Sequence, residues 1–368
     1  MNVAIVNCFD TYGQRVDALY DYFKKKGDNV KVYASNFRHI EKIFIDRPSE
    51  NYLLIPALKY KRNISFRRAA SHIKFSNDVF DAVRHNQIDL LWVLLPPNSL
   101  AKKAIEYKNG SPKVKVVFDV IDMWPETMPL SCANKMRLVK KWKNMRNNNL
   151  IKADYVVTEC NLFRDVLSKE LNLSNIQTIY FSKDSIKEES ASALPSDRYS
   201  LCYLGSINNI IDIQTIVDII STMSKKKPVE LHIIGDGENR RELMGKAKKA
   251  GAKVFYYGKV YDLEKKQDIM RRCHYGLNIM KKTVCVGLTM KSLDYFNNSL
   301  PIINNIKGDT WDLVERKRIG INYPDKLITA EYDYKMRART KKFFEETFSR
   351  ASFDSSMDLL LRKERNER

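Results

Sequence analysis

The stretch Val229-Glu-Leu-His-Ile-Ile-Gly235-Asp-Gly237 decides the fold class. A short apolar run that closes on glycine reads as a buried strand turning at its carboxyl end. The same phrase stands on either side of it. Leu201–Leu204 closes on Gly205-Ser206, and Val254–Tyr257 closes on Gly258. Between these strands, Ile211–Met223 and Arg240–Ala250 carry helical spacing, and Gly251 stops the second. Strand, helix, strand in repetition predicts right-handed βαβ units and a parallel sheet. The series continues: helix Asp262–Arg272 with Asp262 as N-cap, strand Gly276–Met280, helix Thr289–Asn297, strand Pro301–Asn305 and a short helix Thr310–Glu315.

A matching series precedes it. Strands are predicted at Asn2–Phe9, Asn29–Ala34, Tyr52–Pro56, Asp89–Leu95, Lys113–Ile121, Tyr155–Thr158 and Ile176–Tyr180. Helices are predicted at Val16–Lys26, Phe66–His85, Leu100–Tyr107, Lys135–Leu150 and Leu162–Leu171, with Asp10–Arg15 as a turn. Polar Lys183–Arg198 interrupts the alternation and reads as a linker. The expected architecture is α/β: two Rossmann-like doubly wound domains facing a cleft, at 1–182 and 199–330, joined by linker 183–198. Ligands of such sheets sit outside the carboxyl ends of the strands. Residues 331–368 read as charged helices.

Composition narrows the function. The 368 residues carry 64 Lys+Arg against 44 Asp+Glu, a net charge of +20. No acid lies between Glu50 and Asp78, where Lys59, Lys61, Arg62, Arg67, Arg68 and Lys74 alternate with Phe66, Ile73 and Phe75. None lies between Glu126 and Asp154, where Lys135, Arg137, Lys140, Lys141, Lys143, Arg146 and Lys152 accompany Met136, Leu138, Val139, Trp142 and Met145. Basic amphipathic helices suit an anionic bilayer surface, and a solvated helix face is the alternative. Nucleic acid is disfavoured, because no finger, RRM or basic-zipper pattern occurs. The longest apolar stretches, Leu90–Pro97 and Val114–Ile121, fall far short of the ~20 residues of a membrane span. The first residues read as a strand and not a leader, so the expected location is cytoplasmic, peripheral to the inner face of the membrane at most. The six cysteines (Cys8, Cys132, Cys160, Cys202, Cys273, Cys285) form no Cys-x-x-Cys pair and read as buried thiols, without metal or disulfide. Neither a P-loop nor a Gly-x-Gly-x-x-Gly fingerprint is present.

Chemistry concentrates in Val286-Gly-Leu-Thr-Met-Lys-Ser-Leu-Asp294-Tyr-Phe-Asn-Asn-Ser-Leu-Pro301. Lys291-Ser-Leu-Asp294-Tyr295 followed by Leu300-Pro301-Ile-Ile resembles the Lys-x-x-Glu-Tyr-x-x-x-Gly-x-Pro-Val segment of GT-B glycosyltransferases of the family-four type. Tyr203-Leu-Gly-Ser, His232-Ile-Ile-Gly-Asp-Gly-Glu, Tyr257-Gly-Lys-Val and Tyr275-Gly-Leu-Asn-Ile follow that family's order, and Asp119-Val-Ile-Asp-Met-Trp-Pro-Glu126 is similar to an acceptor-side segment of some bacterial members. The resemblance implies C-terminal helices, 331–368, that cross back to the first domain. It implies a metal-independent, retaining transferase of hexosyl type, taking a nucleotide-diphosphate sugar as co-substrate and needing no cofactor. The acceptor would be a glycan or lipid-linked glycan of bacterial surface polysaccharide, such as capsule.

By that resemblance Asp294 binds the donor ribose, and the helix start at Thr289, with Gly287 before it, faces the diphosphate. Lys291, with Lys281 or Lys282, supplies charge. Gly205, Ser206, Gly235 and Gly258 let phosphate approach the backbone. At the end of the fifth predicted strand, counting Tyr52–Pro56, Asp122 and Glu126 are the candidate catalytic carboxylates, with Asp122 positioning or deprotonating the acceptor. Trp124 is a candidate for stacking on a sugar, and Gly13 for close approach of a ligand to the first loop. The chain departs from the pattern in three places. Val286 stands where the family carries an acid eight residues before Asp294, Ser206–Asp212 lacks the usual basic pair, and Ser299 replaces a glycine. These departures motivate a second reading, a catalytically inactive partner subunit that binds acceptor or protein.

Overall fold

The computed structural model describes residues 1–46, 52–62, 65–128, 137–186, 194–283, 286–325 and 332–366. It divides into two compact units, one of Met1–Ser182 with Phe353–Arg368, the other of Lys183–Ser352. Each is a parallel sheet with helices, as the alternation predicts.

The first unit holds β1 (Asn2–Asn7), β2 (Asn29–Ser35), β3 (Tyr52–Ile55), β4 (Leu90–Leu95), β5 (Lys115–Val120), β6 (Tyr155–Thr158) and β7 (Ile176–Thr178), in the order β3-β2-β1-β4-β5-β6-β7. Its helices are α1 (Gly13–Lys25), α2 (Phe66–Val83), α3 (Asn98–Gly110), α4 (Arg137–Leu150) and α5 (Asn161–Leu171). β4 is buried at every residue, as a strand covered on both faces must be. The strand order reverses between β1 and β4, the kind of switch point at whose strand carboxyl ends ligands of such sheets sit.

The expected strand Asn2–Phe9 ends two residues early. The Asn7 amide donates to Phe9 O at 2.9 Å and accepts from Phe9 N at 3.1 Å, which curls the chain out of the sheet. The expected turn at 10–15 is a 3-10 turn, Asp10–Tyr12, running straight into α1. Gly13 is thereby the first residue of α1, with ordinary helical dihedrals. A Cβ there would meet nothing of the protein within 4 Å, so the space beside Gly13 is open.

A buried ion pair ties this unit together. Arg15, on α1, donates to Asp119 of β5 from Nε (2.8 Å) and Nη2 (3.1 Å). Trp92 Nε1 donates to the same carboxylate at 2.9 Å, and Arg15 Nη1 donates to Tyr180 O at 3.1 Å. The guanidinium also lies 5.2 Å from the Phe353 ring, so the C-terminal segment closes over it. Tyr22 Oη donates to Asp358 at 2.8 Å, and Arg365 pairs with Asp28 at 2.8 Å.

The second unit holds β8 (Tyr199–Leu204), β9 (Val229–Ile234), β10 (Ala252–Gly258), β11 (Tyr275–Asn278), β12 (Ile302–Asn304) and β13 (Gly320–Asn322), in the order β10-β9-β8-β11-β12-β13. Its helices include α6 (Ile213–Ser224), α7 (Arg240–Lys249), α8 (Leu263–Arg271), α9 (Met290–Asn297), α10 (Asp309–Lys317) and α11 (Lys335–Phe348). α12 (Arg350–Leu360) and α13 (Arg362–Asn366) lead back into the first unit. β13 has no counterpart in the sequence reading, because three residues are too few to show a period. The core packs the apolar stripe Ile213, Ile216, Ile219, Ile220 and Met223 of α6 onto Leu201, Tyr203, Leu231 and Ile233.

The cysteines at 8, 160, 202 and 273 are buried. Cys132, Cys285, Lys135 and Met136 lie outside the described residues.

Candidate functional site

In the second unit the strand order reverses between β8 and β11. These strands pair only at Tyr275↔Leu201 and Gly276↔Cys202, and then diverge toward their carboxyl ends. Tyr295 of α9 fills the opening. Its hydroxyl accepts from Leu204 N at 2.8 Å and reaches Cys202 O at 3.2 Å, so the backbone groups of a parted strand stay satisfied. Gly276 makes room for it, since a Cβ there would sit 2.6 Å from the Tyr295 ring. Tyr295 thus pins α9 to the switch point and fixes the direction of Lys291, one turn earlier, and of Asp294.

The three glycine loops are laced together. Gly205 N donates to Ile234 O (2.9 Å), Ile207 N to Asp236 O (2.9 Å) and Gly235 N to Gly258 O (2.7 Å). Gly235 has φ +141 and a Cβ on it would lie 2.0 Å from Gly205 O. Glycine here is therefore a packing requirement between neighbouring loops as well as a turn residue. Ser206 is exposed beside them, and its carbonyl accepts from Tyr203 Oη at 2.8 Å.

The start of α9 is built from a polar ladder. Asn278, Asn304 and Asn322 stand in register at the ends of β11, β12 and β13. Asn304 Nδ2 donates to Asn322 Oδ1 (2.9 Å), Asn278 Nδ2 to Asn304 Oδ1 (2.9 Å) and Thr289 Oγ1 to Asn278 Oδ1 (2.9 Å). Thr289 then caps α9 by accepting from Ser292 N at 3.2 Å. Gly287 is held next to it, its carbonyl accepting from Thr310 N (2.9 Å) and Oγ1 (2.7 Å).

One cation, Lys291, lies on this helix start, and a second, Lys281, on the loop after β11. Lys291 lies with its ammonium 5.1 Å from the Tyr203 ring. Burial lowers its pKa from 10.5 to about 8, and among the described residues no carboxylate pairs with it. Lys281 is exposed, and its backbone N donates to Ile210 O at 2.9 Å, which sets the β11 loop against the loop after β8. Asp294 is half-buried and occupied: Lys183 Nζ donates to its Oδ1 at 2.6 Å. Lys183 stood in the expected linker. It belongs to the second unit, with its backbone N bonded to Phe348 O at 2.9 Å.

In the first unit the candidate carboxylates have different surroundings. Asp122 accepts from Trp124 Nε1 at 2.7 Å and from Thr127 Oγ1. Burial raises its pKa, against those hydrogen bonds and the charge of Arg68. Such a carboxylate holds a proton more readily than an exposed one. Burial would likewise raise Glu126, but Arg146 outweighs it with bonds of 2.9 and 2.8 Å, aided by Lys143 at 3.1 Å, and the net shift is downward. Glu126 is thus spent on Arg146, whose side chain is fully buried. Trp124 is buried, packed at 5.7 Å on Trp142 and 4.5 Å from the Arg68 guanidinium. It holds Asp122 in place and offers little surface to a sugar.

Sequence reasoning missed Arg68, His72, His39 and Tyr60, which surround this carboxylate's support. Arg68 lies over Phe9 (5.5 Å), Tyr60 (5.7 Å) and Trp124. His39 Nδ1 is 2.7 Å from Tyr60 Oη. Burial pushes His72 to about 3 and His39 to about 4, with Arg68 adding to both, so both rings are neutral at pH 7. Arg68 and Arg146 had been expected on basic outer faces. Both point inward, because each finds aromatic or carboxylate partners there.

The fold is of the GT-B class. The chain superposes on sucrose-phosphate synthase from Thermosynechococcus elongatus with a TM-score of 0.71, at 12% identity over 100% of both chains. The lipopolysaccharide outer core galactosyltransferase WaaB, in its apo form, gives 0.70 at 13% identity, over 99% of this chain and 100% of that one. Anabaena HepE in complex with UDP gives 0.67 at 11%, again over 99% and 100%. Within the second unit, residues 198–331 match the family model described as "Glycosyl transferases group 1". No curated protein matches the chain.

Proposed function

We propose that the protein is a glycosyltransferase that moves a hexosyl group from a nucleoside-diphosphate sugar to a hydroxyl of a glycan or lipid-linked acceptor. The observation that carries this is Lys291: a half-buried cation without a carboxylate partner among the described residues, on the first turn of a capped helix, at a sheet's switch point. That arrangement suits a diphosphate, whose charge is met by the N-terminal amides of α9 and by the ammonium. It lies inside the segment matching the glycosyltransferase model, and HepE, of the same fold, was solved with UDP and with UDP-glucose. Lys281 and Lys291 take over the charge that the base-free Ser206–Asp212 loop lacks.

The C1–O bond to the diphosphate breaks, its electron pair passing to the leaving oxygen, which Lys291 and the α9 amides stabilise. The acceptor oxygen bonds to C1 and its proton passes to the departing diphosphate. Asp122, in the first unit, orients the acceptor by accepting a hydrogen bond from a hydroxyl neighbouring the reacting one. The reaction retains configuration and needs no metal. Asp294, opposite Lys183, meets the ribose hydroxyls. The acceptor belongs to bacterial surface-polysaccharide synthesis, and the enzyme works on the cytoplasmic side, against the membrane.

The inactive-subunit reading draws on Val286 and on the occupation of Asp294 by Lys183. A thermal-shift screen of nucleoside diphosphates and their sugars separates the two. A ligand at 100 times its Kd adds ~2.7 kcal/mol of stability. A shift that Lys291→Met removes supports the transferase; no shift with any nucleotide supports the inactive subunit.

A further inference from the structure

Fourteen large apolar side chains stand exposed among the described residues, and seven of them, Ile40, Ile43, Phe44, Leu53, Leu58, Phe66 and Ile73, fall within one stretch of the first unit. The fold gathers this stretch around one ring. The loop after β2 reaches Tyr60 through Phe37 (4.8 Å between ring centroids) and Lys42 (4.7 Å). The segment before Tyr60 is fastened to the same loop by Ala57 N and Asn36 Oδ1 (3.0 Å), and to α2 by Leu58 N and Ser71 Oγ (3.1 Å). On α2 itself, Phe66, Ala70 and Ile73 recur on successive turns of the exposed side. Phe66 is 90% exposed and Ile40 69%, on segments that both reach Tyr60, α2 through Arg68 and the loop after β2 through His39.

The unpaired basic side chains beside this surface cluster before and at the start of α2. Lys59, Lys61, Arg62 and Arg67 are exposed and make no ion pair among the described residues. Of the acids near them, Glu41 pairs with Arg38 and Asp78 with Lys74, Asp10 accepts from His39 N, and Asp46 is exposed. Apolar side chains at the tips of three segments, ringed by unpaired cations, match the boundary between acyl chains and anionic headgroups.

We propose that this surface docks the protein on an anionic lipid bilayer, with Phe66, Ile73, Ile40 and Ile43 entering the headgroup region and Lys59, Lys61, Arg62 and Arg67 meeting phosphates. It differs from the two basic helices that the sequence alone suggests. Arg68 turns inward, the loop after β2 joins, and Arg68 bridges the docked face to the buried support of Asp122: its guanidinium is 4.5 Å from Trp124, whose indole donates to Asp122 at 2.7 Å. The purpose of docking rests on the lipid-linked reading of the acceptor; the binding itself does not.

The test is flotation of the full chain with phosphatidylcholine vesicles, with or without roughly one third phosphatidylglycerol. Binding to the anionic vesicles only, weakened by salt, is expected. Lys59→Gln with Lys61→Gln lowers the partition coefficient about fivefold per charge, and Phe66→Ser with Ile73→Ser lowers it at least ~10-fold. Melting temperature and the nucleotide thermal shift of each variant stay at wild-type values, which shows that the variants fold. Equal binding to both vesicle types, binding to neither, or wild-type binding by both variants overturns the proposal. So does a dimer in sedimentation that the Phe66→Ser, Ile73→Ser variant dissolves, because a second copy would then be the occupant. Vesicle binding without any nucleotide shift leaves the docking and removes the transferase; a nucleotide shift without vesicle binding does the reverse.

Discussion

Lys183 Nζ sits 2.6 Å from Asp294 Oδ1, so the carboxylate proposed to meet the ribose is already neutralised by a lysine from the first residues of the second unit. The pair is neither deeply buried nor open: the lysine side chain is 16% exposed and the aspartate 23%. Holding a carboxylate in one rotamer with one oxygen spoken for leaves the other free to accept hydroxyl bonds. Asp294→Ala is expected to weaken UDP binding ~10-fold or more by calorimetry, the loss of hydrogen bonds to a charged group. Lys183→Met should cost about 1 kcal/mol of stability by denaturant titration, since the pair is only partly desolvated. Unchanged UDP affinity in Asp294→Ala would remove the ribose role.

Lys291 gives a pH signature with two opposite signs. Its pKa is about 8 in the fold against an ordinary 10.5. Because the fold prefers the neutral amine, this residue's contribution to stability grows as pH rises from about 8 toward 10.5. Diphosphate binding requires the charged form, so affinity for UDP should be full below pH 8 and fall as pH rises through it. Calorimetry between pH 6.5 and 9.5 on the wild type and on Lys291→Met tests this. The variant should bind weakly at every pH; a wild-type profile in the variant would show that another group carries the dependence.

Asp122 and Glu126, four residues apart, should respond differently to loss of charge. Asp122→Asn keeps the shape and is expected to lower kcat ~100-fold or more with little change in melting temperature. The raised pKa of Asp122 places an acid limb on the wild-type rate, activity falling as pH drops and the carboxylate takes up its proton. Glu126→Gln removes the counter-charge of a fully buried Arg146 and should cost about 3 kcal/mol of stability. If Glu126→Gln abolished turnover while leaving stability intact, the roles of the two acids would be reversed.

Asp119 is a structural carboxylate at the centre of the first unit's buried ion pair. It accepts three hydrogen bonds, two from Arg15 and one from Trp92, with both ionic side chains fully buried. Asp119→Asn leaves Arg15 charged in a dry site, at a cost of about 3–5 kcal/mol. Replacing the pair together, Arg15→Met with Asp119→Leu, should recover part of that loss, as apolar substitution of buried ion pairs often does. Urea titration of the single and double variants measures the difference.

The sheets were legible because β1, β4, β5, β8 and β9 are largely buried on both faces and read as mostly apolar runs, interrupted by such residues as Asp119, Ser200, Glu230 and His232. The Asp294-Tyr295 segment was legible for its chemistry, but the function of Tyr295 was not: its hydroxyl serves Leu204 N, 91 residues away, across a gap that exists only in the folded sheet. Arg68 and Arg146 look like surface charge in the sequence because a local pattern cannot show that rings from distant strands, or Glu126, wait to receive them. Gly13 looked like a loop residue because glycine at a helix start leaves no pattern to distinguish it from a turn.

The three asparagines at the ends of β11, β12 and β13 carry the last prediction. Nothing in their spacing marks them, yet their amides line up because their strands pair in register, and the chain of bonds ends on Thr289, the cap of α9. Asn304 is the middle rung. Its Oδ1 receives Asn278 and Ile306 N, and its Nδ2 serves Asn322 and Ile306 O. Asn304→Leu therefore orphans groups on both sides, each costing about 1–3 kcal/mol, and frees Asn278 to turn away from Thr289. Stability should fall, and UDP affinity should fall with it, because the start of α9 loses its support. Asn304→Asp, which keeps the acceptor toward Asn278 but loses the donor toward Asn322, should retain more affinity than the leucine variant. If the two variants lost affinity equally at matched stability, the ladder would be holding the sheet together without governing where α9 begins.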